Sequence, residues 1–210
     1  RRHPLAGCRA EARTRAVSRR IVLASSNVAK LREISMALHG HTWEIVPQGQ
    51  LGVDATDEPH PTFVENALAK ARHASACTGM PALADDSGLC VDALKGSPGV
   101  FSARFAGDGA NDQNNNAELL RRLAGVTQRQ AHYTCVLVAV RSIEDAEPLV
   151  VDARWYGEIA QAPRGEGGFG YDPLFYVSDL GVTAAELDPV HKNRVSHRGV
   201  ALRALADKLA

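Results

Sequence analysis

Two adjacent carboxylates follow a short apolar run near the middle of the chain. The stretch ALADDSG places Asp85 and Asp86 after the apolar residues 82–84 and directly before Ser87. Neighbouring side chains in a strand point to opposite faces, but both can converge where a strand ends and the chain turns. Burying either charge alone would cost several kcal/mol, and a bound divalent cation would remove that cost. The pair therefore indicates either a metal site at a strand end or a solvated acidic turn.

A third carboxylate could come from the polar, proline-containing loop over residues 48–61. Asp57 and Glu58 stand side by side in this loop. Mg²⁺ usually takes one or two protein carboxylates together with phosphate oxygens. Either of the two acids could complete such a shell, and a slip of one residue exchanges them.

The stretch SSNVAK, residues 25–30, is a candidate anion site. An apolar strand ends there and a helix begins, so unpaired backbone N–H groups and the Lys30 ammonium could hold a phosphate. The glycines and the Gly-Lys-Ser/Thr ending of a Walker A loop are missing. Taken alone, the stretch also fits an ordinary helix N-cap followed by an exposed lysine.

Residues 164–177, RGEGGFGYDPLFYV, surround one aromatic ring with glycines. Glycine permits backbone conformations and close approaches that a Cβ atom would block. Phe169, which lies between two glycines, could stack an unobstructed ring face on a planar base. Asp172 and Pro173 would then fix the turn before the next strand. The alternative is a glycine-rich hairpin in which Phe169 fills the core.

The stretch HKNRVSHRG, residues 191–199, places two cationic side chains where a helix begins. With Ser196 as the cap, His197 and Arg198 lie in the first turn, where positive charge opposes the helix dipole. Such a local inconsistency tends to mark a functional position. The Arg198 fork and the His197 donor suit carbonyl oxygens of a base or phosphate oxygens, and Lys192 adds another donor. We therefore favour a binding role for these residues.

The elements that must position these clusters alternate between strand and helix at the start and form a long hairpin in the middle. Apolar periodicity and capping residues predict strands over 21–24, 43–46, 81–84, 132–141, 149–159 and 174–177, and helices over 28–39, 62–78, 111–124 and from 196 onward. This order predicts an α/β fold with a mixed sheet flanked by helices. Ligands of such sheets collect at the carboxyl ends of strands and the amino ends of helices. A metal site, an anion site, a stacking ring and a donor fork at that edge are the parts that hold a nucleoside triphosphate.

Length and composition fit one soluble α/β domain over residues 21–210. The chain has 210 residues, of which 45% are hydrophobic and 23% charged, enough for a sizeable core. Lys plus Arg equals Asp plus Glu at 24 each, so bulk charge does not favour nucleic acid or an anionic membrane. The longest apolar runs are far shorter than the roughly 20 residues of a membrane span. We therefore expect neither a nucleic-acid nor a membrane partner.

Residues 1–20 differ from the rest because they are rich in arginine and nearly free of acids. We expect a disordered extension or upstream sequence included by a misplaced start, with a transit peptide as the alternative. The four cysteines, Cys8, Cys77, Cys90 and Cys135, lack CxxC or zinc-finger spacing. We expect them to be buried free thiols in a reducing cytoplasm.

Taken together, the motifs strongly resemble those of the inosine/xanthosine triphosphate pyrophosphatase family of the Ham1 type, in its bacterial branch. The matching stretches occur in family order over residues 21–209: SSNVAKLREI, TFVENALAKARHA, ALADDSGLCVDAL, PGVFSARFAG, GGFGYDPLF, TAAEL and SHRGVALRAL. The resemblance implies an elongated mixed sheet with two lobes around a nucleotide-binding cleft. It also implies a Mg²⁺-dependent homodimer that hydrolyses 6-keto purine triphosphates such as dITP, ITP, XTP and dXTP to the monophosphate and pyrophosphate.

The resemblance also implies a role for each matching residue. Asp86 would be the proton acceptor and a metal ligand, supported at the metal by Asp85 and Glu58, with one or more Mg²⁺ ions per subunit. Substrate would be bound by Ser25, Ser26, Asn27, Val28, Ala29, Lys30, Ser87, Phe169, Gly170, Tyr171, Asp172, Lys192, His197 and Arg198. One departure is Ser26, where the family often has glycine, and its Cβ would matter only at a positive φ.

Two other functions remain compatible with the residues. The chain could be a nucleotide sensor without catalysis, although retention of both Asp85 and Asp86 argues against this. It could instead act on another phosphate compound, such as a modified pyrimidine triphosphate or a sugar phosphate.

Overall fold

A computed structural model describes residues 19–38 and 43–209 of the chain. Most of the arginine-rich segment, residues 1–18, lies outside the described residues, as does Cys8; Arg19 and Arg20 belong to the first strand. The described strands are β1 (Arg19–Ala24), β2 (Trp43–Pro47), β3 (Ala82–Val91), β4 (Gln130–Val140), β5 (Leu149–Ile159), β6 (Phe175–Val177) and β7 (Val182–Thr183). The described α-helices are α1 (Val28–Ala37), α2 (Phe63–Thr78), α3 (Asp112–Arg122), α4 (Pro189–Val195) and α5 (His197–Leu209).

The strands form one mixed sheet in the order β2-β1-β3-β4-β5-β6-β7. Strand β1 is parallel to both β2 and β3, whereas every pairing from β3 to β7 is antiparallel. The predicted mixed α/β sheet is therefore confirmed. The predicted long hairpin is also confirmed, because β4 pairs with β5 from Gln130↔Glu158 to Ala139↔Leu149.

Local capping chemistry explains the bounds of α2. The Thr62 hydroxyl accepts a hydrogen bond from the Glu65 backbone N–H at the start, and Gly79 ends the helix at φ +67°, the left-handed conformation that favours glycine. Three alanines of α2, Ala67, Ala71 and Ala74, are fully buried against β3 and β4. Small side chains at helical spacing let this helix lie close to the sheet.

Helix α4 was missing from the sequence prediction. Asp188 caps it by accepting from the His191 backbone N–H, and Pro189 occupies its first turn, where its missing N–H costs nothing. Ser196 then both ends α4 and receives a hydrogen bond from the Gly199 backbone N–H in the next turn of the chain. The predicted cap at Ser196 is thus confirmed. Val200 of α5 is 40% exposed.

Apolar side chains form cores on either side of a cleft, which confirms the two-lobed arrangement. One lobe packs α1 and α5 on one face of β1, β3 and β4, and α2 on the other face. The second lobe surrounds the far end of β3 and β4 with α3 and β6, around the buried side chain of Phe175. The cleft lies where β3 passes from one lobe to the other.

The burial of the cysteines differs from the prediction at two positions. All three that the structure describes are free thiols, and Cys135 is buried, but Cys77 is exposed near the end of α2 and Cys90 is half-buried. Within residues 19–38 and 43–209, no helix is both long enough and apolar enough to cross a membrane.

Candidate active site

The cleft between the lobes gathers most of the predicted site residues around a cavity of about 310 Å³. Two of them, Val28 and Ala29, are not part of its lining, and Val28 is 60% exposed. The predicted residues that line it are Ser25, Ser26, Asn27, Lys30, Glu58, Asp85, Asp86, Ser87, Phe169, Gly170, Tyr171, Asp172, Lys192, His197 and Arg198. Segments far apart in sequence thus meet at one place, as the alternation of strands and helices requires.

Strand β3 does not end before the acidic pair, which corrects the sequence prediction. It continues to Val91 and pairs Asp85 with Leu137 and Asp86 with Val136 of β4. The two carboxylates therefore point to opposite faces of the sheet. Both still border the cleft, because the pairing of β1 with β3 stops at Ala24 and Ala84. They converge around the edge of a strand and not at a turn.

Glycine at position 88 brings another segment close to this edge. A Cβ atom there would lie 2.3 Å from the Gly99 carbonyl oxygen and 2.5 Å from Ser102 Oγ. The segment 99–104 therefore packs directly on β3, where the Leu89 backbone N–H donates to Ser102 Oγ at 2.9 Å. This contact closes the cleft on the side of the second lobe.

Asp85 is buried and surrounded by donors on the face of α1 and α5. Its carboxylate contacts Lys30 Nζ at 2.5 Å and Arg198 Nε at 3.3 Å, and accepts from Ser87 Oγ at 3.3 Å and Cys135 Sγ at 3.2 Å. Burial by itself would raise the pKa of Asp85, but the Lys30 and Arg198 charges together overcome this and hold the pKa well below its usual range. Asp85 is therefore ionised throughout the neutral range.

Asp86 has a different environment on the face of α2. Its Oδ1 lies 3.0 Å from Lys70 Nζ, and its Oδ2 accepts from Asn66 Nδ2 at 3.4 Å. Burial raises the pKa of Asp86 and outweighs the opposing charges of Lys70 and Lys30, and nearby Glu58 raises it further. A carboxylate with a raised pKa is the better proton acceptor of the two.

Lys70 is a functional candidate that the sequence analysis missed. Its ammonium bridges Asp86 and Glu58, at 3.0 and 2.5 Å, and its side chain is only 11% exposed. Burial would lower the pKa of Lys70, but Asp86 and Glu58 raise it above its usual value. A sequence signal for Lys70 was present, because Asn66 and Lys70 lie one helical turn apart on the side of α2 that carries the buried alanines. Polar residues on the buried side of a helix need hydrogen-bond or ion-pair partners.

The start of α1 holds less free donor capacity than predicted. The Asn27 side chain accepts from the backbone N–H groups of Ala29 and Lys30, at 3.0 and 3.1 Å. An incoming anion would therefore meet chiefly the Lys30 ammonium and the hydroxyl groups of Ser25 and Ser26. Ser26 is not among the described residues at positive φ, so its Cβ causes no backbone strain.

The glycine-rich segment positions Phe169 at the opposite end of the cleft. The Phe169 backbone N–H donates to Asp172 Oδ2 at 2.8 Å. A Cβ atom at residue 168 would lie 2.0 Å from that same oxygen, and Gly168 has φ +72°. Two cations lie over the Phe169 ring, with Lys192 Nζ at 4.8 Å and Arg198 Cζ at 5.7 Å from its centroid. The ring is thus not as unobstructed as the sequence suggested.

Those two cations share a carboxylate on α1. Lys192 Nζ contacts Glu33 Oε1 at 2.9 Å and Asp172 Oδ2 at 2.6 Å, and Arg198 also contacts Glu33. Burial raises the pKa of Asp172 in spite of the Lys192 charge. Arg198 further donates to Ser87 Oγ at 2.8 Å. The unfavourable helix-dipole position of Arg198 is therefore offset by Glu33 and Asp85, which sequence spacing could not reveal.

His197 is buried and stacked on Tyr133, with ring centroids 4.6 Å apart and an interplanar angle of 6°. Burial, reinforced by the Arg198 charge, lowers the pKa of His197 well below its usual value, so the imidazole is neutral near pH 7 and carries one donor and one acceptor. Within the described part of the chain, its Nδ1 has no hydrogen-bond partner. His197 therefore keeps a polar atom available at the cleft.

The predicted metal ligands Asp85, Asp86 and Glu58 all line the cleft, and their role at a metal stays a prediction. In residues 19–38 and 43–209, no three or more His, Cys, Asp or Glu side chains are grouped to hold a metal ion. Asp85 is separated from the set because it faces the other side of the sheet and is already paired with two cations. Asp86 and Glu58 remain neighbours through Lys70. Asp57 is exposed and is not part of the cleft lining, which favours Glu58 over Asp57.

Known proteins share both the sequence pattern and the fold. A model of the Ham1 family matches residues 21–208. The dITP/XTP pyrophosphatase of Burkholderia pseudomallei (strain K96243) is 60% identical over 193 residues, which cover 90% of this chain and 93% of that protein. The dITP/XTP pyrophosphatase of Nitrosomonas europaea is 56% identical over 191 residues, covering 91% and 94%. The structure of a HAM1 protein from Coxiella burnetii matches with a TM-score of 0.86 and 47% identity, covering 91% of this chain and 98% of that chain.

Proposed function

The chain belongs to the Ham1 family, and from this premise we propose that it hydrolyses dITP, ITP, XTP and dXTP to the monophosphate and pyrophosphate. Relatives that are 55–60% identical carry the name dITP/XTP pyrophosphatase. One observation carries the proposal for this chain. Asp86 is buried in the cleft, where burial raises its pKa, and it shares the Lys70 ammonium with Glu58.

We propose Mg²⁺ as the cofactor and test this on the donor set. Asp86 and Glu58 are hard oxygen donors that converge on a single ammonium group, and burial, with the nearby Glu58 charge, raises the pKa of Asp86 in spite of Lys70. Two carboxylates leave room for the phosphate oxygens and waters that Mg²⁺ prefers, so the residues fit the ion. When bound, Mg²⁺ would offset charge on the phosphate oxygens and acidify a water molecule.

The reaction that this geometry favours is in-line attack of water on the α-phosphorus. Asp86 orients the water and accepts its proton at the carboxylate. The water oxygen forms the new bond to phosphorus while the bond from the α-phosphorus to the bridging oxygen breaks, and pyrophosphate leaves. Lys30, whose ammonium lies at the cleft beside the start of α1, stabilises the departing phosphates.

Selectivity for a 6-keto purine follows from the donors near Phe169. We propose that the ring stacks on the base while Arg198 and His197 donate to the keto oxygen. Adenine presents a donor at this position, so it would leave buried donors unpaired, at about 1–3 kcal/mol for each neutral group. Asp172, Lys192, Gly170 and Tyr171 complete this end of the site, and Ser87 lies between base and phosphates.

The deciding experiment is a substrate panel in the presence of Mg²⁺. We expect release of pyrophosphate from dITP and XTP, with much slower release from dATP and dTTP. Hydrolysis in H₂¹⁸O should place the label in the monophosphate, as attack on the α-phosphorus requires. Label in the pyrophosphate would contradict the assigned reaction, and an intact dITP pool would contradict the function. A homodimer and a cytoplasmic location stay predictions, and light scattering tests the first.

A further inference from the structure

Two side chains of helix α3, one helical turn apart, form hydrogen bonds with the backbone of the glycine-rich loop. The Gly170 N–H donates to Asp112 Oδ2 at 2.6 Å, and Asn116 Nδ2 donates to the Gly170 carbonyl oxygen at 2.8 Å. The N–H belongs to the peptide group that links Gly170 to Phe169, and the carbonyl to the peptide group that follows. Both peptide planes around Gly170 are therefore held by α3.

These hydrogen bonds matter because Gly170 directly follows Phe169, and a change in the Gly170 backbone angles would move the ring. It has φ +62°, and the position where its Cβ would stand has no neighbouring atom within 4 Å. No neighbouring atom there selects this conformation, and glycine has more accessible backbone conformations than any other residue. The hydrogen bonds from α3 therefore restrict a freedom that the loop would otherwise have.

Helix α3 is itself well anchored. Asn115 is buried, receives a hydrogen bond from the Ala106 N–H at 2.8 Å and donates to the Ala103 carbonyl oxygen at 3.1 Å. Leu119 and Leu123 hold the same helix in the core of the second lobe. A fixed helix can transmit a fixed position to the loop that it contacts.

We propose that Asp112 and Asn116 are positioning residues that hold Phe169 where its ring meets the purine. This inference rests on the proposed function, because it assigns the ring to base stacking. On the upstream side, the Phe169 N–H is held by Asp172; on the downstream side, α3 supplies the restraint. The backbone is thus restrained on both sides of the Phe169 ring.

The variants are chosen so that each change has a matched control. Asn116→Asp removes the donor to the Gly170 carbonyl and places a carboxylate against it. Asn114→Asp makes the same substitution on an exposed position of α3. Asp112→Leu removes the acceptor for the Gly170 N–H, whereas Asp112→Asn keeps an acceptor oxygen there.

Kinetics with dITP provide the first measurement. A stacked base contributes about 1–3 kcal/mol, so loss of ring position should raise KM about 5- to 150-fold in Asn116→Asp and Asp112→Leu, with a smaller change in kcat. The inhibition constant of pyrophosphate, which probes only the phosphate end, should stay within about twofold. Asn114→Asp should match the parent protein, and Asp112→Asn should recover most of the loss. An unchanged KM for dITP would overturn the proposal, and so would an equal rise in the KM of dITP and in the inhibition constant of pyrophosphate.

Amide hydrogen exchange provides a measurement that does not depend on activity. The Gly170 N–H should exchange faster in Asp112→Leu than in Asp112→Asn, while the amides of β4 keep their protection. If dITP proves not to be a substrate, the proposed function fails, but this exchange result still decides whether α3 holds the loop. Equal exchange of Gly170 in both variants would show that it does not.

Discussion

Strand β3 carries an aspartate on each face, Asp85 and Asp86, and their pKa values shift in opposite directions. On the face of α1 and α5, Asp85 contacts Lys30 and Arg198, which hold its pKa well below the usual range in spite of burial. On the face of α2, Asp86 shares one ammonium with Glu58, and burial raises its pKa. Asp85 is therefore a permanent anion that holds two cations in place, whereas Asp86 can accept a proton.

The difference between the two pKa values arises from the charged side chains on each face and not from a difference in how deeply the two aspartates are buried. Both aspartates are at most 5% exposed. A fully compensated buried charge stays ionised, whereas an incompletely compensated one is more readily protonated. Substitution of Asp86 should therefore affect chiefly catalysis, and substitution of Asp85 chiefly stability.

The largest effect is expected on the α2 face, from Asp86→Asn. Loss of a general base typically lowers kcat by about 10²–10⁴-fold. Stability should change little, because Lys70 keeps Glu58 as a partner. Pyrophosphate release from dITP measures the first quantity and urea unfolding the second. A kcat near that of the parent protein would remove Asp86 from its assigned role.

On the other face, Asp85→Asn should act mainly on stability. Breaking a buried ion pair from one side costs about 3–5 kcal/mol, and Glu33, which still contacts Arg198, should keep the loss toward the lower value. Because the folded pKa of Asp85 is depressed, its contribution is present above the unfolded pKa of about 3.9 and is lost as pH falls. Urea unfolding at pH 7 and pH 3 should therefore separate the variant from the parent more at pH 7. An equal difference at both pH values would contradict this account.

Lys70→Met should move the catalytic pH dependence. The Lys70 ammonium lowers the pKa of Asp86 against the effect of burial, so its removal should shift the acid limb of kcat to higher pH. The rate at pH 7 should fall about 10- to 100-fold, the equivalent of a charge-assisted hydrogen bond of about 1.5–3 kcal/mol. Lys70→Arg retains the charge and serves as the control. If the acid limb of kcat lies at the parent's pH in both variants, Lys70 does not set the pKa of Asp86.

The smallest effect is expected from Cys135→Ala, behind Asp85. Burial raises the pKa of the Cys135 thiol well above its usual value, so it remains protonated and donates to Asp85 Oδ2 at 3.2 Å. Losing this bond should cost about 0.5–1.5 kcal/mol of stability, with kcat within about twofold of the parent. A fall in kcat as large as that of Asp86→Asn would mean that the two faces are not separable.

Much of the local structure could be predicted from the sequence because short-range chemistry decides it. The Thr62 cap, the Gly79 terminator and the hairpin of β4 and β5 are examples. Helix α4 was missed although its signals were local, namely a capping Asp188 followed by Pro189. These features depend on residues within a few positions of one another.

Other parts of the site could not be predicted because they depend on distant partners. The continuation of β3 through the acidic pair requires the facing strand β4, and nothing near Asp85 in sequence indicates that strand. The pairing of Glu33 with Arg198 joins residues 165 positions apart. Lys70 had a periodic signal, but its role depends on Glu58 and Asp86 reaching the same ammonium.

Most of the side chains that line the cleft could be named from the sequence, because the motifs and their order carry the family resemblance, although Lys70 was missed and Val28 and Ala29 do not line it. The ion pairs and protonation states of those side chains could not, because they depend on contacts between distant segments. The pKa of a buried carboxylate depends on which charges lie within a few ångströms and on how much water remains. For Asp85 and Asp86, both quantities are set by helices that arrive from opposite sides of one strand.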